Sequence, residues 1–161
     1  MRLDLGGESL RDLNQFYTFK EYMKDNSLSP NEEDYIEMIY RLQSENENVK
    51  IKDLSKALNI KPSSVSNMVR KLQQKKLLTH ELYGSINLSD LGADMGKKFL
   101  ERHNTIYEFL KLIGLDEYLH EETEKIEHTI SLETLLRINN LINFFEENEG
   151  ILERLKVYQN L

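Results

Sequence analysis

Only two prolines occur in this 161-residue chain, and each heads a run of residues with helical spacing. Proline has no amide hydrogen and holds φ at about −65°, so it suits the first turn of a helix and breaks the interior. Long proline-free stretches therefore point to a mainly α chain. In "SPNEEDYIEMIYRLQSEN" Ser29 reads as the N-cap, Pro30 as the first helical residue, and acids fill the first turn. Tyr35, Ile36, Ile39, Tyr40 and Leu42 give that helix a broad apolar face. In "KPSSVSNMVRKLQQKKL" Pro62 opens a second run, and Val65, Met68, Val69 and Leu72 recur at spacings that turn one face inward. Between the two, "VKIKDLSKALNI" begins with a short alternating piece. Leu54, Ala57 and Leu58 then predict a helix of about two turns, closed by Asn59, which tolerates the left-handed conformation.

Alternation dominates in one place. "LLTHELYGSINLS" predicts a two-stranded hairpin around Tyr83-Gly84-Ser85. Beyond it, one long helix is expected from Asp90 to Ile113, with Gly114 as its stop, and two or three more over 116–129, 131–147 and 150–159. Residues 1–29 form an arm in which Phe16, Phe19 and Met23 of "FYTFKEYM" fall at helical spacing. It packs as an arm or folds onto a partner subunit. The absence of cysteine excludes disulfides, Cys-ligated zinc and iron–sulfur clusters. Nothing approaches the roughly 20 apolar residues of a membrane span, and the start lacks a basic, then apolar, leader. A cytoplasmic protein without membrane partners is the expectation.

The net charge of −7 is unevenly spread. From Lys50 to Lys76 eight bases meet one acid, Asp53, whereas from Ile113 onward eleven acids meet four bases. Such asymmetry suggests a basic binding face and an acidic body with another task. The basic part has the helix, short helix, helix, hairpin order of a winged helix-turn-helix. A recognition helix needs small or polar residues at its N-terminal end to enter a major groove, and Ser63, Ser64 and Asn67 supply them. Lys61, Ser66, Arg70, Lys71, Lys75 and Lys76 extend this polar, basic face, suited to phosphates, with Tyr83 and Ser85 of the wing as further contacts. The plain alternative is a tri-helical core that serves protein contacts alone.

The acidic half poses a question in "ETEKIEH". On a helix, Glu124, Glu127 and His128 share one face, and like charges so close repel unless something positive lies between them. Asp34 and Glu37 make a similar pair on the first helix, and His103 rides the long one. Each group alone reads as a solvated helix face or an ordinary histidine. Together they offer four carboxylates and two imidazoles, a set for two divalent cations. Oxygen-rich ligands without thiolate suit Mn²⁺, with Fe²⁺ the nearest competitor.

At these residues the chain resembles the metal-dependent DtxR/MntR repressors. The blocks "EEDYIEMIYRL", "IKPSSVSNMVRKL", "LYGSINLSDLG", "ERHNTIYEFLKLIGLDE" and "EKIEHTIS" carry the likeness from Pro30 to Phe145. The resemblance implies an N-terminal winged helix-turn-helix domain over 30–90, then an all-helical metal-binding and dimerisation domain over 91–161. It also implies a homodimer that binds an inverted-repeat operator when loaded with metal, and represses metal-uptake genes. Glutamate at 37 and 124, where the iron branch has Met and Cys, resembles the manganese branch. Its binuclear site maps onto Asp34, Glu37, His103, Glu124, Glu127 and His128, two Mn²⁺ per protomer, and an iron-responsive regulator of the same family is the alternative. Tyr107 departs from the family, whose members often carry Glu there, and His120 matches an ancillary histidine of the iron branch. With the helical domain running to the end of the given sequence, the resemblance is to the branch expected to lack the third, SH3-like domain of the iron branch. Two other readings exist. A di-metal carboxylate enzyme needs paired Glu-x-x-His motifs, and only Glu117 with His120 fits; a winged-helix sensor of an organic ligand would leave the acids as surface charge.

Overall fold

The computed structural model describes residues 28–46, 48–81 and 84–159. The arm residues Phe16, Phe19 and Met23, and Tyr83 of the wing, lie outside the described residues. Among the described residues there are seven helices and one two-stranded sheet: α1 (Pro30–Glu45), α2 (Ile51–Leu58), α3 (Pro62–Gln74), β1 (Leu78–His80), β2 (Ile86–Leu88), α4 (Asp90–Leu112), α5 (Leu119–Glu127), α6 (Leu132–Glu147) and α7 (Glu149–Gln159). The mainly α reading and the hairpin are thus borne out. The chain divides into two compact units at Gly96–Lys97, inside α4.

In the first unit, local chemistry sets the ends of each element. Ser29 caps α1 reciprocally: its hydroxyl accepts from the Glu32 amide (3.4 Å), and the Glu32 carboxylate accepts from the Ser29 amide (2.8 Å). Asp53 accepts from the Lys50 amide at the start of α2 (3.0 Å), and Asn59 ends that helix with φ 53°. After α3, Lys76 takes φ 60° and the Leu77 amide reaches back to the Leu72 carbonyl (3.1 Å), which reverses the chain into β1. β1 and β2 pair antiparallel with Leu78 opposite Leu88 and His80 opposite Ile86. The outer edge of β2 is covered, since the Ile86 amide donates to the Val49 carbonyl (2.7 Å) and the Gln43 amide group donates to the Ile86 carbonyl (3.1 Å). The alternating piece before α2 forms no strand: Val49 only lends its carbonyl to the Ile86 amide, and Ile51 already belongs to the helix.

Ile36, Ile39, Leu54, Val65, Leu72, Leu77 and Ile86 are fully buried and form one continuous apolar core. Two glycines let α4 close over it. A Cβ at Gly92 would meet the Leu77 carbonyl oxygen at 2.0 Å, and one at Gly96 would meet Tyr40 Cβ at 2.6 Å.

α1 buries three acids, Glu32, Glu33 and Glu37, and Glu32 is the most enclosed, with 2% of its surface exposed. Burial by itself pushes its carboxyl up, but the Lys75 ammonium, the Ser29 amide and the Lys71 ammonium together outweigh it and hold the group down at about 2.

The second unit is built from the remainder of α4 with α5, α6 and α7. Ile106, Leu110, Leu119 and Leu135 form its buried cluster, with Phe109, Leu115, Ile126 and Ile130 packed around. Gly114 (φ 90°) and Tyr118 (φ 62°) turn the chain between α4 and α5 in left-handed conformations. α7 buries none of its residues and leaves Val157 and Tyr158 open, while Phe144 on α6 is 48% exposed. No helix among the described residues is long and apolar enough to cross a membrane.

Candidate metal centre and nucleic-acid interface

The polar face expected of a recognition helix is present on α3. Ser63, Ser64, Asn67, Arg70 and Lys71 are exposed, as is Lys61 just before the helix, while Val65, Val69 and Leu72 point inward. Ser66 is half-buried, and its hydroxyl donates to the Pro62 carbonyl (2.9 Å), a bond that bends the side chain back onto its own helix. Ser64, Asn67 and Lys71 line a shallow groove of about 360 Å³ with Asn31, Tyr35, Ile60 and Met68. Lys71 and Lys75 also face Glu32, at 3.2 and 2.8 Å. The S-x-x-E pattern from Ser29 to Glu32 is a visible sign of the cap, but nothing local marks the reach of Glu32 to two lysines 39 and 43 residues further on.

In the second unit four of the expected ligands gather. α4 presents His103, and the end of α5 presents Glu124, Glu127 and His128. Glu127 is 1% exposed, and its two oxygens serve two rings: Oε2 lies 2.7 Å from His103 Nδ1, and Oε1 lies 3.4 Å from His128 Nε2. Glu124 is exposed and reaches His103 Nδ1 at 3.8 Å. Arg102 Nη2 stands 3.4 Å from His128 Nδ1 and its guanidinium lies over the Phe99 ring, 5.0 Å from the centroid. An arginine can only donate, so in this contact the guanidinium is the donor and His128 Nδ1 the acceptor. Sequence reasoning missed Arg102, although it directly precedes His103.

Asp34 and Glu37 sit three residues apart on α1 of the first unit, half-buried and buried. Glu37 is ion-paired to Arg41 one turn on, a partner that the i, i+4 spacing made visible. Tyr107 stacks beside His103 (centroids 6.4 Å apart) and lies 5.0 Å from the His120 ring, so an aromatic group stands between the two imidazoles.

The donors fit a divalent cation. A carboxylate this buried, with an imidazole at each oxygen, is stable only with positive charge nearby, supplied either by ring protons or by an ion. The donors are oxygen and imidazole nitrogen, with no thiolate.

Residues 27–86 match the model of the iron dependent repressor N-terminal DNA binding domain, and residues 89–155 match the iron dependent repressor metal binding and dimerisation domain. The HTH-type transcriptional regulator MntR of Shouchella clausii is 36% identical over 132 residues, which cover 81% of this chain and 92% of that protein. The regulator of the same name from Listeria welshimeri is 39% identical over 81% of this chain and 93% of its own length. Among solved structures, the manganese regulator SloR matches with a TM-score of 0.63 and 28% identity over 73% of this chain and 55% of that one. A manganese-dependent transcriptional repressor in complex with manganese matches with a TM-score of 0.64 and 28% identity over 70% and 53%. The chain thus spans about half the length of these solved structures. With a DNA-binding domain followed by a metal-binding and dimerisation domain, it belongs to the iron-dependent repressor family, the DtxR/MntR group of metal-dependent transcriptional regulators.

Proposed function

We propose that this protein is a Mn²⁺-responsive repressor of metal-uptake genes, which binds an inverted-repeat operator as a homodimer. The observation that carries the reading is Glu127, buried between the imidazoles of His103 and His128. Relatives called manganese regulators support the choice of metal. So do the ligand types, since Glu37 and Glu124 are hard oxygen donors where a thioether or thiolate would favour softer ions. The ligand set is Asp34, Glu37, His103, Glu124, Glu127 and His128, sufficient for two ions per protomer. Fe²⁺ is the competing ion, because affinity alone favours it over Mn²⁺. The reading head spans 30–90 and the metal-binding body 91–161, with Lys61, Ser63, Ser64, Ser66, Asn67, Arg70, Lys71 and Tyr83 as the DNA contacts.

When bound, a metal ion would supply the positive charge that offsets the carboxylates of this ligand set. Asp34 and Glu37 are carried on the helix that starts the reading head, and the other four proposed ligands on the body; an ion held by both groups would limit the orientations open to the two recognition helices of a dimer. Ser63, Ser64 and Asn67 of each copy then meet successive major-groove faces, about 34–36 Å apart. Selection of that state requires tighter binding of metal to it, and by reciprocity operator DNA tightens the metal.

Anaerobic titration of promoter DNA with Mn²⁺, Fe²⁺ and Zn²⁺ tests the proposal. Mn²⁺ is expected to raise affinity for an inverted repeat about 100-fold, equivalent to two couplings of about 1–3 kcal/mol each. Glu127→Ala is expected to remove that gain while leaving metal-free, non-specific binding alone. Equal DNA affinity with and without Mn²⁺ in the wild-type chain would sink the reading.

A further inference from the structure

Glu32 is a buried acid on the helix-capping turn of α1, and its two oxygens face different tasks. Oε2 accepts from the Ser29 amide at 2.8 Å, which completes the cap. Oε1 faces the ammoniums of Lys75 at 2.8 Å and Lys71 at 3.2 Å. The cap needs only one oxygen and explains nothing about the second. A carboxylate 2% exposed needs positive partners, because its burial is otherwise costly. Lys71 lies in the last turn of α3 and Lys75 is the residue that caps its C-terminal end, so both stand at the end of the helix that begins with Ser63 and Ser64. Their side chains remain 53% and 34% exposed, so each ammonium can face the carboxylate and solvent together.

We propose that Glu32 is a positioning and charge-setting residue of the DNA-reading head: it pins the base of the recognition helix to α1 and neutralises one of the two positive charges that Lys71 and Lys75 bring to the DNA face. The inference rests on α3 being the recognition helix. Two ammoniums and one carboxylate give the cluster a net charge of +1 in place of +2. Each phosphate neutralised by a cation steepens the salt dependence of duplex binding by about 0.9 in log–log slope, so the acid directly lowers sequence-independent affinity. A weaker non-specific background leaves more of the binding to base contacts and to metal control. The same pin fixes the pose of α3 on the helix that also carries Asp34 and Glu37.

The test uses the full chain with MnCl₂ and a short fluorescein-labelled duplex of random sequence, titrated over a series of KCl concentrations. Glu32→Gln keeps an acceptor for the Ser29 amide and removes the charge. Its slope is expected to steepen by about 1, with affinity for the random duplex up about 3- to 10-fold at low salt. A folded Glu32→Gln chain with unchanged slope and affinity would overturn the proposal. Should that variant lose its helical circular dichroism, the double variant Glu32→Gln, Lys75→Gln decides, because it leaves no unpaired buried charge and restores the cluster to +1. A wild-type slope in the double variant supports the proposal; a slope shallower by about 1 means that Lys75 acts on DNA independently of Glu32, and overturns it. Failure of the wild-type chain to bind any duplex is a separate result, which would strike the DNA-binding reading itself.

Discussion

The two units bury apolar surface in opposite ways. In the winged-helix unit every element turns its apolar face onto one core, and Ile36, Leu54, Val65, Leu72 and Ile86 are all closed to solvent. In the helical unit the buried cluster is four residues, while Ile113, Leu141, Phe144, Ile151, Val157 and Tyr158 stay open. α7 has no buried residue at all. The second unit has the composition of half a core, as the match to a dimerisation domain requires, and its exposed stripe on α6 and α7 is the surface expected to meet a second copy.

The contrast breaks if the first unit tolerates crowding. Gly92→Ala would place a methyl 2.0 Å from the Leu77 carbonyl oxygen, a backbone atom that cannot swing aside. The expected cost is about 3 kcal/mol, read as a fall in the urea midpoint. Val157→Ala, on a residue 64% exposed, is expected to change the stability of the metal-free protomer by less than about 0.5 kcal/mol. Similar losses in both would mean that the two units are packed alike.

Much of this division was legible in the sequence because it is local. The Ser29-Pro30 start, the left-handed Asn59 and the hairpin after α3 rest on signals within a few residues, and all three appear in the structure. The alternation at 49–52 carries no strand, because Ile51 and Lys52 already belong to the first turn of α2. The left-handed turn at Lys76 had no signal, because lysine does not favour positive φ. In the candidate site, residue types were legible but their partners were not. His103 and Glu127 are 24 residues apart, and only the resemblance joined them beforehand. Glu32 read as a charge that complements the helix dipole, because its lysines lie far along the chain.

A second test addresses the open face. Phe144→Asp puts a charge on the exposed side of α6, where a self-complementary interface would have to desolvate it. Dimer dissociation is expected to rise about 10-fold or more, as read by sedimentation equilibrium, with the helical signal of each protomer unchanged. An unaltered dimer would place the interface elsewhere and leave the stripe unexplained.

The smallest effect concerns how each unit holds its acids without metal. Glu127 relies on imidazoles, whereas Glu37 relies on the arginine one turn away. Imidazole can lose a proton to make room for a cation, but a guanidinium keeps its charge and must be displaced or tolerated. Two charges about 6 Å apart interact by about 3 kcal/mol at an effective dielectric near 20, and the exposure of Arg41 reduces this to about 0.5–1 kcal/mol. Arg41→Gln is therefore expected to tighten Mn²⁺ binding by about 2- to 5-fold in an equilibrium titration, with the larger gain at low salt. Weaker binding would mean that Arg41 orients Glu37 for the ion. No change at all would remove Glu37 from the ligand set and leave the imidazole-flanked carboxylate of the helical unit as the dominant metal-binding element.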